Sequence, residues 1–198
     1  MSLTAKAGEN FQLTPEGTHL ARCFRIVDLG TQHNEQFSKF QHKILISWEL
    51  PAELMEDGRP FSVSKRYTLS LGEKSSLRAD LEAWRGRAFT EEELQGFDIK
   101  KLIGATCYLN IAHKKNGEKT YTNITAIMKL PKGIECPPAV NPPTVLELEP
   151  ESFAIDVFEG LSDKLKDTIR LSPEYKNIEL ALEKGLTDSA PQADDVQF

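Results

Sequence analysis

The sequence predicts a mainly β protein, on three observations: apolar and polar residues alternate over several stretches, turn signals separate these stretches, and one amphipathic helix interrupts them. The clearest alternation spans residues 41–50, where one face carries Ile44, Ile46, Trp48 and Leu50. The other face carries Lys43, Ser47 and Glu49. Residues 61–71 repeat the pattern. We therefore expect a half-buried sheet whose polar, slightly basic face is suited to a polar ligand.

The strand before this pair is predicted over Thr18–Leu29, after the turn signal Pro15-Glu16-Gly17. It carries Arg22 and Arg25, which point to opposite faces if the strand is regular. A β-bulge between them would place both on one face. A polar loop, residues 30–40, then leads into the alternating pair, whose own connection contains the turn signal Asp57-Gly58.

A helix follows the third strand. Ser75 or Ser76 is a suitable N-cap, and Gly86 is a suitable end. The apolar stripe of this helix consists of Leu77, Leu81 and Trp84. Thr90-Glu91-Glu92-Glu93 predicts a short second helix that begins with a capping box.

Two further strands complete the series, Thr106–His113 and Thr120–Leu130, joined by a hairpin turn at Asn116-Gly117. In the last strand we expect Ile124, Ala126 and Met128 to face inward. The order strand, strand, strand, helix, strand, strand is that of the OB-fold, a five-stranded, partly open barrel. We therefore predict an OB-fold over residues 1–133.

Composition and charge divide the chain. Residues 1–133 hold 19 Lys and Arg against 16 Asp and Glu, whereas residues 134–198 hold 5 against 14. A mildly basic body is thus followed by an acidic tail. Prolines are frequent in residues 134–150, so we predict a linker and a helical extension over 134–186 and a disordered tail over 187–198. The helices of the extension would pack either on the barrel or on a second subunit.

Several classes of function receive no support from the sequence. The four histidines share no metal-ligand spacing, and no phosphate loop, dinucleotide fingerprint or nucleophile elbow is present. Cys23, Cys107 and Cys136 are far apart and odd in number, which argues against a disulfide framework or a cysteine zinc site. No apolar run is long enough to cross a membrane, and no leader pattern is evident. We expect a soluble protein without enzyme activity or cofactor.

What remains is a binding surface. OB barrels bind oligonucleotides across strands two and three and through the loops that join strands one to two and four to five. In and around those places the sequence has cations and aromatic residues, the mixture that single-stranded nucleic acid needs. The predicted binding residues are Arg22, Arg25, Phe37, Lys39, Phe40, Lys43, Arg66, Tyr108, Lys114, Lys115, Lys119 and Tyr121.

The last five residues are Asp194-Asp195-Val196-Gln197-Phe198. This end resembles the C-terminal tip of bacterial single-stranded-DNA-binding proteins, although Gln197 stands where that family has proline. Residues 17–23 and 28–32 resemble phage replication-region proteins. The resemblance covers about residues 10–133 and the tail, and does not extend to 134–187.

The resemblance implies a phage single-stranded-DNA-binding protein that acts in replication or recombination in the cytoplasm of a bacterial host. It also implies that Asp194, Asp195, Val196 and Phe198 dock on replication or repair proteins, and it is compatible with a homo-oligomer. Three alternatives stay open: an enzyme on a small barrel, a protein-interaction or virion structural module, and RNA in place of DNA.

Overall fold

The computed structural model describes residues 12–34 and 38–185, and within them the protein is mainly β. The strands are β1 (Gly17–Asn34), β2 (Lys39–Leu54), β3 (Pro60–Thr68), β4 (Thr106–Asn116), β5 (Lys119–Lys129) and β6 (Thr144–Leu146). The helices are α1 (Ser76–Arg85), α2 (Glu91–Gln95), α3 (Ile155–Glu159), α4 (Asp163–Arg170) and α5 (Pro173–Glu183), with a 3₁₀ turn at Ile99–Leu102. The predicted order of elements up to β5 is confirmed.

All six strands form one sheet. Its hydrogen-bonded path runs β3-β2-β1-β4-β5 with antiparallel neighbours, so β3 and β5 lie at its two ends. Residues 17–22 of β1 pair with β4, and residues 25–27 pair in parallel with the short strand β6. The prediction of a mainly β fold with a helix between the third and fourth strands is thus confirmed, while the OB-fold, a partly open barrel, stays a prediction.

A first core lies on one face of this sheet, under α1. Leu77, Leu81 and Trp84 of α1 are buried against it, as the apolar stripe predicted. The indole Nε1 of Trp84 donates to the carbonyl oxygen of Thr106 at 2.8 Å, and its ring lies 5.6 Å from that of Trp48. The predicted N-cap Ser75 is confirmed, since its side chain accepts a hydrogen bond from the backbone of α1.

Two of the four register shifts in the sheet change the direction of residues that the sequence analysis placed. The register of β1 against β2 shifts between Cys23 and Arg25, so Arg22 and Arg25 lie on the same face, as the bulge hypothesis required. A second shift, at Thr125 of β5, was not foreseen. It turns Met128 outward and buries Ile127 instead, so the expectation for Met128 is wrong.

A second core covers the opposite face of β1 and β2. There, the helices and chain of the extension pack against apolar residues of both strands; the buried set is Val27, Leu29, Leu45, Leu146, Leu148, Phe158, Leu161, Ile169, Tyr175 and Ile178. The extension therefore packs on the sheet of its own chain. The expectation of a polar face of β2 open to a ligand is wrong at Ser47 and Glu49, because both are fully buried under this layer.

The proline-rich segment before β6 is held against the sheet by charged side chains. The carboxylate of Glu49 accepts hydrogen bonds from the backbone N–H groups of Val140 and Asn141 and from the side chain of Asn141, at 2.7–3.1 Å for the shortest contact of each donor. Arg22 donates to the carbonyl oxygens of Cys136 and Pro137 at 3.2 and 3.0 Å. Because the buried carboxylate of Glu49 accepts several N–H hydrogen bonds from the proline-rich segment, it holds that segment against the sheet.

Candidate nucleic-acid interface

The sheet face that the second core covers on β1 and β2 continues onto β3, where it is exposed. Ser62, Ser64 and Arg66 alternate outward on this strand and are exposed. The inward cation of β3, Lys65, donates to Asp80 of α1 at 2.6 Å. That pair explains why a lysine stands on the apolar side, and it leaves Arg66 as the cation that β3 presents to solvent.

The hairpin between β4 and β5 approaches one end of this strand. Tyr121, which is 50% exposed, shares a cleft of about 230 Å³ with Ser62 and Ser64. Lys114, Lys115 and Lys119 are exposed around the turn. The structure thus brings Tyr121 next to β3 and adds three cations at its side.

The hairpin between β1 and β2 carries Lys39 and Phe40, both of them exposed. The ring of Phe40 is 74% exposed and its centroid lies 5.0 Å from that of His33. Phe37 lies outside the described residues. An aromatic ring with this exposure is available for stacking on a base.

Lys43 lies further along β2, with Arg66 and Thr68 of β3 and with His33, around one cavity. Its Nζ donates to the side-chain oxygens of Gln41 and Thr68 at 2.7 and 2.6 Å. Both acceptors are neutral, and burial lowers the pKa of Lys43. We define the binding strip as the polar and aromatic residues of β3, of the neighbouring part of β2 and of the two hairpins beside them: Lys39, Phe40, Lys43, Ser62, Ser64, Arg66, Lys114, Lys115, Lys119 and Tyr121.

Three predicted binding residues lie elsewhere. Arg22 and Arg25 are on the face that the extension covers: Arg22 bonds to backbone carbonyls, and the guanidinium of Arg25 lies 5.4 Å from the ring centroid of Phe24. Burial lowers the pKa of Arg25. Tyr108 is half-buried in β4, opposite Leu20. The structure does not bring these three to the binding strip.

Sequence reasoning missed two residues beside Lys43, namely Gln32 and Thr168. The amide of Gln32 donates to the carbonyl oxygen of Thr168 at 2.9 Å, which ties β1 to α4. No sequence signal links positions this far apart, and neither residue type suggests nucleic acid.

Other classes of site receive no support from the described part of the chain. It holds no group of three or more His, Cys, Asp or Glu side chains able to bind a metal ion. The acidic run at Glu91–Glu93 begins α2 with the predicted capping box to Thr90. None of the helices in residues 12–34 and 38–185 has the length and apolarity to cross a membrane. Asp194, Asp195, Val196 and Phe198 lie outside the described residues.

Comparison with known proteins gives no further guide. No protein-family model matches the chain, and no curated protein matches it.

Proposed function

We propose that this protein binds single-stranded DNA without strong sequence preference, and that it does so in phage replication or recombination. One observation carries the proposal: the exposed edge strand β3 and the hairpins at both its ends present cations and aromatic rings on one strip. The outward positions of β3 alone, residues 62–68, extend about 20 Å. Cations along such a strip follow phosphates, while rings stack on bases of any identity.

The strand arrangement supports an OB-type barrel as the scaffold. In the sheet path, β1 is flanked by β2 and β4, and α1 lies between β3 and β4 in the chain. The two end strands, β3 and β5, face each other across the cleft that holds Tyr121. A partly open barrel has a gap of this kind, and OB barrels bind oligonucleotides on this side.

The first test is fluorescence anisotropy with labelled poly-dT, with a duplex of equal length and with poly-U, at low and high salt. We expect single-strand binding that weakens steeply with salt, because phosphate contacts release counterions. Lys115→Gln should reduce the salt dependence, whereas Lys132→Gln, an exposed lysine beyond the other end of β5, should not. Binding to neither strand type would overturn the proposal, and preference for poly-U would replace DNA by RNA.

The acidic C-terminal residues are proposed to recruit replication or repair proteins through Phe198. Removing residues 194–198 should keep or raise DNA affinity, because an acidic tail competes with DNA for basic groups. The same truncation should abolish capture of the partner. Weaker DNA binding by the truncated protein would contradict this role.

A second candidate function is a protein-interaction or virion structural module. It is favoured by apolar side chains that the extension leaves exposed, which are Val140, Ile155, Leu171, Leu180 and Leu182. Isolated exposed apolar residues are common on monomers, so their presence is weaker support than a strip of cations and rings. Failure to bind any nucleic acid, together with self-association in solution, would favour this candidate.

A further inference from the structure

The cavity around Lys43 has the size of a small-molecule site. Its volume is about 480 Å³, within the range of about 300–1,000 Å³ that such sites occupy. Its walls come from remote parts of the chain: His33 at the end of β1, Lys43 of β2, Arg66 of β3, Ser76 in the first turn of α1 and Thr168 of α4. One wall therefore belongs to the C-terminal extension.

The wall from α4 is fixed rather than loosely apposed. Gln32 donates from its Nε2 both to the carbonyl oxygen of Leu29 at 2.6 Å and to that of Thr168 at 2.9 Å. Ile169, the next residue of α4, is fully buried in the second core. The cavity therefore forms when the extension folds, before any ligand binds. Little of the binding free energy is then spent on ordering the protein.

The charge inside the cavity is positive and uncompensated. Neither Lys43 nor Arg66 has a nitrogen within 4.0 Å of a carboxylate oxygen of the described residues. The hydroxyl of Thr68, which receives a hydrogen bond from Lys43, adds a polar group beside them, and that of Ser76 lies in the same wall. Two cations with hydroxyls around a half-enclosed space suit a phosphate group.

An aromatic pair stands at the side of the same cavity. His33 lines it, and His33 and Phe40 are directly opposite each other in the β1–β2 register. The ring of His33 lies in the cavity wall, and the ring of Phe40 lies beside it with 5.0 Å between the two centroids. The cavity and its side therefore offer groups for both the phosphate and the base of one nucleotide.

We propose that this cavity is a subsite for one nucleotide of a bound strand, with the phosphate between Lys43 and Arg66, the base against His33 and Phe40, and α4 as the closing wall. The inference rests on the proposed function and deepens it, because it makes the C-terminal extension part of the binding site.

The test combines a mononucleotide with variants of the full chain. In ¹⁵N-NMR titrations, dTMP should shift the backbone resonances of His33, Lys43 and Thr168, and thymidine should shift them much less, because it lacks the phosphate. Thr168→Glu places a carboxylate in the wall and should weaken poly-dT binding about tenfold or more, since it repels the phosphate. Asn177→Glu adds the same charge on the exposed surface of α5 and should change binding less than twofold.

Lys43→Gln provides a second variant in case Thr168→Glu disturbs α4. It should remove the dTMP shifts and lower the slope of log affinity against log salt by about one. Lys101→Gln, at an exposed lysine of the 3₁₀ turn before β4, should leave both unchanged.

The outcomes separate the subsite from the general function. If wild-type protein binds poly-dT but Thr168→Glu and Lys43→Gln behave as their controls do, the subsite is overturned and the function stands. If poly-dT does not bind but dTMP shifts the cavity resonances, the cavity binds a free nucleotide, and both the function and the subsite for a bound strand are overturned. Absence of both kinds of binding overturns both proposals.

Discussion

The sheet face opposite α1 has two neighbouring regions, one buried under the extension and one exposed. On β2, Glu49 and Ser47 are fully buried, whereas Ser62 and Ser64, their register partners on β3, are exposed. The hydroxyl groups of Ser47 and Ser64 lie 2.8 Å apart and mark the border. On the covered side the carboxylate of Glu49 and the guanidinium of Arg22 bind fixed groups of the segment before β6. On the open side Arg66 has no carboxylate within 4.0 Å among the described residues. The difference teaches that polarity alone does not mark a site, and that a charge which is both exposed and without a carboxylate partner is the better guide.

The largest effect on stability should come from a substitution in the second core, on the covered side. Phe158 is 1% exposed, and its ring is stacked 5.0 Å from that of Tyr175 in the second core. Phe158→Ala should lower the free energy of unfolding by about 3–5 kcal/mol, from lost burial and a cavity. Urea denaturation measures this. A loss below 1 kcal/mol would mean that the extension contributes little to stability.

A somewhat smaller loss is expected from Glu49→Ala. It leaves the backbone N–H groups of Val140 and Asn141, whose hydrogen bonds are partly buried, without their acceptor, at a cost of about 2–4 kcal/mol in unfolding free energy. Glu56→Ala, at an exposed carboxylate in the loop after β2, is the control and should stay within about 0.5 kcal/mol. Equal effects of both changes would show that the segment before β6 is not fixed by Glu49.

On the open side, Tyr121→Ala should change binding rather than stability. Loss of one stacking ring should weaken poly-dT affinity by about 1–3 kcal/mol, with the urea midpoint nearly unchanged because the ring is half-exposed. Tyr108→Ala is the informative comparison, since Tyr108 lies off the binding strip. An equal loss of affinity in Tyr108→Ala would move the interface onto β4.

The smallest effect concerns the contact between α5 and the sheet. His42 lies between Asp28, with Nε2 to Oδ1 at 2.7 Å, and Glu174 of α5, with Nδ1 to Oε1 at 3.6 Å. The hydrogen bond to Asp28 raises the pKa of His42 above its usual 6.5, and the charges of Asp28, Glu174 and Glu149 add to this shift. The protonated ring therefore stabilises the folded state.

This contribution is complete below pH 6.5 and is lost as the pH rises through the raised pKa of His42. It should be under about 1 kcal/mol, because the pair is partly solvated. Urea denaturation at a series of pH values should show it in wild type and not in His42→Gln. An unchanged pH profile in His42→Gln would assign the effect to another group.

The sequence predicted those elements whose pattern is local. The cap at Ser75, the stripe of α1, the capping box at Thr90 and the hairpin turn at Gly117 each depend on residues a few positions apart, and all are present. The bulge before Arg25 was also inferred, from the need to bring two arginines to one face. Local hydrogen bonding and side-chain periodicity are sufficient for such predictions.

The second core was beyond this reasoning. Glu49 and Ser47 were interpreted as part of a polar face open to a ligand, because period-two alternation does not tell which layer covers a polar residue. The groups that donate hydrogen bonds to Glu49 lie more than 90 residues later in the chain. In the same way, Lys43 and Arg66 were foreseen as cations of the site, while Thr168 of α4 was not, since only the folded extension brings it to them.

One strand, β1, serves both cores: Ile26 belongs to the first and Val27 to the second. During synthesis, the layer that covers Val27 and Leu45 is complete only when Ile178 has left the ribosome, well over one hundred residues after β2. At typical rates of about 5–20 residues per second, this leaves an apolar sheet face uncovered for on the order of ten seconds. C-terminal truncation before β6, which removes the whole covering layer, would make that exposure permanent.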